Sequence, residues 1–217
     1  MKQVIQSTTN CIDIGCHLGS VLSGMQRYAP LGQHMAFEPT PYKFEWLKRK
    51  YREIEVRQEA LSDAPGEAEF FHQTNHSGFS GLRSHGDKDW KTETFKVKCA
   101  RLDDIVGERR VGFIKMDVEG AEPLVIRGAE RVLRQSRPHI LFECTLTGLH
   151  LFNWTPAAMY HLLCSDLGYD IFVIRDWLDH RQALTIERFA AAMAHPAQAF
   201  NFFATARSDN ADQRLPL

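Results

Sequence analysis

Two short runs of the sequence bring together residue types that do chemistry. The first is Ile12-Asp13-Ile14-Gly15-Cys16-His17-Leu18-Gly19-Ser20 and the second Met116-Asp117-Val118-Glu119-Gly120-Ala121-Glu122. In the first, Gly15 lets the backbone turn tightly or approach a ligand, and Gly19 permits close contact where a helix begins. The spacing is GxxxG, not the GxGxxG that offers helix-end amides to a pyrophosphate. Asp13 precedes the loop, and a carboxylate there suits a cationic ligand better than a phosphate.

Glu38 follows an apolar stretch and precedes Pro39. Its distance from Gly15 is close to the ~20 residues that separate a glycine loop from an acidic ribose ligand. S-adenosylmethionine meets both conditions, because it carries an ammonium and a sulfonium and its ribose hydroxyls need an acceptor. Taken singly, the glycine pair is equally a helix-packing turn and the acid equally a solvated charge or a cap. Their conjunction favours the cofactor.

The second run places Asp117, Glu119 and Glu122 after an apolar strand, and Glu143 ends another. Clustered carboxylates repel one another, so some should have raised pKa values or be neutralised by a cation, whether Lys115, a substrate or a metal. Methyl transfer to a hydroxyl needs in-line geometry and a base, for which Asp117, Glu119, Glu143 and His76 are the candidates. Glu119 and Glu122 can also serve the positive end of the following helix. The spacing matches no defined metal loop, and no metal is expected.

These groups need a frame. Strand-like and helix-like patterns alternate, which predicts βαβ units and a doubly wound, mostly parallel α/β sheet. Strands are expected at 11–15, 33–38, 53–61, 94–99, 111–116, 139–144, 169–174 and 200–206. Between them fall a helix ending near Tyr28, a helix over 41–51 opened by Pro41, a helix face from Leu124 to Leu133, and a helix from Thr155 to Leu167 stopped by Gly168. A short helix suits the alanine-rich segment around Phe189. Residues 73–92, rich in Gly, Ser, His and Asn, are predicted to be a loop, and loops this long are often functional.

At 217 residues with 44% apolar content, the chain is long enough for one domain over 1–207, with 208–217 as a flexible tail. A formal charge of −1 provides no global basic field, so nucleic acid is not an expected partner. The five cysteines form no metal or CxxC spacing and read as reduced thiols. With neither a membrane-length apolar run nor a signal-peptide pattern, the cytoplasm is the expected location.

The strings Ile12-Asp13-Ile14-Gly15 with Gly19, Ala36-Phe37-Glu38-Pro39, Ala60-Leu61-Ser62-Asp63, Leu102-Asp103-Asp104 and 113–122 resemble, in this order, the FkbM family of S-adenosylmethionine-dependent methyltransferases. The resemblance implies a Rossmann-like methyltransferase fold of seven strands, the last antiparallel, with a small β insertion after the third strand. It also implies O-methylation of a small-molecule or glycan acceptor: a sugar, a glycolipid or a polyketide-derived product. Asp13 and Gly15 would lie by the methionyl part, Glu38 by the ribose, and Glu59, Ala60 and Leu61 by the adenine. His17, Gly19, Pro39 and Asp117 would complete the cofactor contacts, with Asp117 and Glu119 facing methyl transfer. Cys16-His17 departs from the family, which more often has small or amide residues there. The rival readings are a nicotinamide-dependent oxidoreductase and a non-catalytic protein that keeps the cofactor fold.

Overall fold

The computed structural model describes residues 1–84, 86, 89–194 and 198–207; the expected tail over 208–217 lies outside the described residues. The main sheet has seven strands: β1 (Cys11–Ile14), β2 (Met35–Phe37), β3 (Glu55–Arg57), β7 (Phe113–Met116), β8 (His139–Glu143), β9 (Tyr169–Val173) and β10 (Asn201–Ala206). Their order is β3-β2-β1-β7-β8-β10-β9, parallel except for β10, which runs antiparallel to both its neighbours. The order reverses between β1 and β7, and a ligand crevice is expected outside the strand ends at such a switch point.

Period-2 alternation distributes β1 over both faces of the sheet. Ile12 and Ile14 join Phe37, Ile114 and Phe142 in one apolar cluster. Cys11 faces the other way and packs with Leu22 and Met25 of α1 (Ser20–Tyr28) and Leu47 of α2 (Pro41–Lys50). With both faces covered, β1 and β7 are buried along their whole length, which is why they read as near-continuous apolar runs.

A second, three-stranded sheet is built from β4 (Ala60–Leu61), β5 (Gly66–Gln73) and β6 (Thr92–Ala100), in the order β4-β6-β5. It corrects the single strand expected over 53–61. β3 ends at Arg57 on the edge of the main sheet, and Ala60 and Leu61 leave to pair with Cys99 and Ala100 of β6. Strand β5 was not anticipated; the expected loop after it contains a short helical turn, Ser77–Phe79, tied back by a bridge from Gly81 to Phe71.

The helices depart from expectation where backbones approach closely. After α3 (Leu102–Val106), the expected helix face through Leu133 is two helices, α4 (Glu122–Arg127) and α5 (Glu130–Ser136). They break at Gly128, where a Cβ would lie 2.0 Å from the Ser62 carbonyl oxygen. Helices α6 (Leu146–Leu151) and α7 (Pro156–Tyr160) follow, and α7 continues as a wider π-helical segment to Asp166. Thr155 caps α7 by accepting the Ala158 amide, as its position predicts. Helices α8 (Ile174–Leu178) and α9 (Ile186–Met193) complete the fold, and among the described residues no helix is long and apolar enough to cross a membrane.

Candidate active site

The loop after β1 is shaped by backbone demands. Gly15 has φ 70°, and a Cβ there would sit 1.9 Å from the Asp117 carbonyl oxygen, so the two motifs pack backbone to backbone. The Gly15 and Cys16 amides both donate to the Phe37 carbonyl. Gly19 does not line the cleft: it starts α1 at φ 77° beneath Tyr51, whose hydroxyl donates to the Gly19 carbonyl at 2.8 Å.

Above this loop opens a cleft of about 300 Å³. Its walls include Gly15 and His17 from the loop, Glu38 and Thr40 from the end of β2, Lys43 from α2, and Asp117 and Glu119 after β7. A smaller apolar slot continues from it, sharing Gly15, Pro39 and Val118 and adding Glu59, Ala60, Leu61 and Leu82. The Glu38 carboxylate, 4% exposed, accepts the His17 amide on Oε2 and the Thr40 amide on Oε1, each at 2.9 Å.

Asp13 is fully buried beneath the loop and is not part of the cleft wall. Its partner is Lys115, whose Nζ lies 3.4 Å from Asp13 Oδ1 and 3.4 Å from Asp117 Oδ2 and donates to the Gly15 carbonyl at 2.7 Å. Burial raises the Asp13 carboxyl against the opposing pull of Lys115. Burial works against the Lys115 ammonium too, but Asp13 and Asp117 outweigh it and the net shift is upward. The sequence offered Lys115 as one cation that could answer the carboxylates after β7; the fold has it join the two motifs as well.

At the far side of the cleft, one carboxylate oxygen each from Asp117, Glu119 and Glu143 lie within 4.8 Å of one another. Burial, then the charges of Glu143 and Asp117, push Glu119 up to about 9. Burial and Asp117 push Glu143 up to about 7. Glu122 is buried behind them, accepts the Val118 amide at 2.8 Å and is raised by burial to about 8. Such a cluster can hold a proton, an organic cation or a metal ion.

His76 does not join this group. It is exposed on the insertion and stacks on Trp90 with centroids 4.9 Å apart, while its neighbours Ser77 and Gly78 line the cleft. Histidine enters the site elsewhere: His17 Nε2 is 3.1 Å from Ser77 Oγ, and His72 Nδ1 is 3.1 Å from Ser80 Oγ. Burial, with help from Lys43 and Lys115, lowers the His17 imidazole below its ordinary 6.5. Lys43, also unanticipated, donates to the Ser77 carbonyl at 2.9 Å.

The donor set fits S-adenosylmethionine. A buried carboxylate at Glu38 can share its lone pairs with ribose hydroxyls, the narrow slot beside it, about 20 Å³, is apolar, and the acidic groups across the cleft suit an ammonium and a sulfonium.

A model of the methyltransferase FkbM domain matches residues 13–180. No curated protein matches the chain. Among solved structures, an FkbM methyltransferase from Methylobacillus flagellatus KT superposes with a TM-score of 0.57 at 16% identity, over 92% of this chain and 44% of that one. This chain therefore spans less than half the length of that protein. A putative rRNA-methylase from Clostridium thermocellum gives 0.50 at 8% identity over 95% and 92% of the two chains. Methanococcus jannaschii fibrillarin, a pre-rRNA processing protein, gives 0.50 at 11% over 94% and 68%. At these identities the structures show the shared fold, whereas the domain match covers most of the chain: the protein belongs to the FkbM methyltransferase domain family, with S-adenosylmethionine as its cofactor.

Proposed function

We propose that the chain is an O-methyltransferase acting on a hydroxyl of a sugar, glycolipid or secondary-metabolite acceptor, within one domain over residues 1–207. The observation that carries this reading is the meeting of Glu143 with Asp117 and Glu119, two residues of the cleft wall, with Glu143 pushed up to about 7. A base poised near the working pH combines a useful deprotonated fraction with enough basicity to take a proton.

When bound, S-adenosylmethionine supplies an electrophilic methyl group. Glu38 would hold the ribose, and Pro39, Glu59, Ala60, Leu61 and Leu82, which line a narrow slot of about 20 Å³, would have to part to take the adenine. Asp117 would answer the positive charge of the cofactor, and Glu119, pushed up to about 9, would add its own charge only by giving up its proton as the cation arrives. As the acceptor oxygen bonds to the methyl carbon and the carbon–sulfur bond breaks, the hydroxyl proton passes to Glu143. Residues 77–80 lie against the cleft and limit water access through Lys43 and His17. Five free cysteines fit work in a reducing compartment, the cytoplasm.

The test uses methyl-labelled S-adenosylmethionine with a panel of glycans and hydroxylated small molecules. Label on an acceptor oxygen, with turnover reduced at least ~100-fold in Glu143→Gln, is the expected result. Label arriving only on nitrogen or carbon acceptors, or none at all, rejects the proposal.

A further inference from the structure

The cleft wall contains a second polar pair, Thr40 and Lys43, whose donors the proposed proton transfer leaves unassigned. Lys43 is 2% exposed, yet its Nζ reaches the cleft and donates to the Ser77 carbonyl. Among the described residues no carboxylate lies within ion-pair distance of it. Glu38 and Glu119 act on it only at longer range, and burial lowers the ammonium below its ordinary 10.5. A cation buried without a counter-charge is costly and is found where a ligand supplies the missing charge.

An independent observation points to the same ligand. Thr40 is 1% exposed, lines the cleft, and its Oγ1 has no hydrogen-bond partner. It occupies the N-cap position of the ten-residue helix α2, but its hydroxyl does not cap that helix. The first turn of α2 contains no acidic residue, and the carboxylate at the helix start, Glu38, is engaged by the Thr40 and His17 amides rather than by the Thr40 hydroxyl. An ammonium without an ion-pair partner and an unpaired hydroxyl thus line the same cleft, both on the helix that Glu38 precedes.

We propose that Thr40 and Lys43 form an oxyanion subsite, taking a carboxylate or phosphate group of the bound ligand. The inference rests on the methyltransferase reading of the cleft. The group comes either from the amino-acid end of the cofactor or from an acidic acceptor such as a uronic acid or a sugar phosphate. The hydroxyl and ammonium donors make the subsite selective for charge, because a neutral ligand leaves Lys43 buried without a counter-charge.

Binding to the intact chain separates the two sources. Wild type, Lys43→Met, Lys43→Arg and Thr40→Val are titrated with S-adenosylhomocysteine and with 5′-methylthioadenosine, which lacks the amino acid. Glucuronate and inorganic phosphate are titrated in parallel by thermal shift. If the cofactor supplies the group, Lys43→Met weakens S-adenosylhomocysteine at least tenfold, leaves 5′-methylthioadenosine unchanged, and Lys43→Arg restores most of the loss. If the acceptor supplies it, both adenosine ligands are unaffected while the glucuronate or phosphate shift disappears in Lys43→Met and shrinks in Thr40→Val. Equal losses for both adenosine ligands without a change in the anion shifts, or no change for any ligand, overturn the subsite. If wild type binds neither adenosine compound, the methyltransferase reading fails, and the two anions still decide the subsite.

Discussion

The Glu38 carboxylate holds the His17 amide at 2.9 Å, so the acid ending β2 fixes the loop that follows β1. Its other oxygen holds the Thr40 amide at the start of α2. One side chain thus sets two walls of the cleft before any ligand arrives, and removing it has two separable effects. Glu38→Ala should lower stability by about 2 kcal/mol through two lost charge-assisted hydrogen bonds. It should weaken S-adenosylhomocysteine more than ~30-fold, since ribose recognition and loop order are lost together. Calorimetry on protein still folded by circular dichroism checks this; unchanged affinity would place the ribose elsewhere.

Gly15 is indispensable for a backbone reason. At φ 70° an L side chain is strained, and its Cβ would lie 1.9 Å from the Asp117 carbonyl oxygen. Gly15→Ala should therefore cost about 3 kcal/mol in urea unfolding, as the β1 loop and the segment after β7 are forced apart. Gly107, also at positive φ (60°) but with nothing within 4 Å of its Cβ, supplies the control. Gly107→Ala should cost only about 1 kcal/mol. Equal effects would mean that the close approach to Asp117 contributes nothing.

The acid cluster makes stability depend on pH in a defined direction. Glu119, Glu122 and Glu143 are raised by burial from 4.5 to about 9, 8 and 7 respectively. In the fold they keep protons that the unfolded chain has released. The stability linked to these protons is fully present below pH 4.5 and falls as the pH rises, until each folded value is passed. Urea midpoints should decline from pH 5 to 9, and Glu143→Gln should flatten the part of the decline below pH 7. A midpoint that rises over this range in wild type would mean that the cluster is ionised in the fold.

The acid–glycine loop and Glu38 were legible in the sequence because their demands are local: a tight turn, a strand end and a fixed spacing. The rest of the site depends on burial and on contacts far apart in the chain. His17 meets Ser77 across a sequence separation of 60, and Lys115 reaches the Gly15 carbonyl across 100. Periodicity shows which face of an element is apolar, but not that Lys43 on a polar-looking helix turns inward. For the same reason, His76, in a loop of promising composition, points away to Trp90 while Ser77 beside it lines the cleft. The strand expected over 53–61 had the right apolar content, but no pattern marks Gln58 and Glu59 as the place where the chain changes sheets.

The pairing of Lys115 with Asp13 predicts strong thermodynamic coupling. Lys115→Met leaves the Asp13 carboxylate, 0% exposed, with no counter-ion and should cost about 3–5 kcal/mol at pH 7. Asp13→Asn removes the acid but leaves Lys115 with Asp117 and the Gly15 carbonyl, so its cost should be smaller, about 2 kcal/mol. In the double variant no buried charge remains unanswered at that position, and the total loss should fall short of the sum by about 2 kcal/mol. pH adds an internal check. Asp13 is already raised by burial, so in Lys115→Met it should take up a proton, and the deficit should shrink as the pH is lowered through the acid range. Additive costs, or a Lys115→Met deficit independent of pH, would show that the ammonium serves the loop through the Gly15 carbonyl alone.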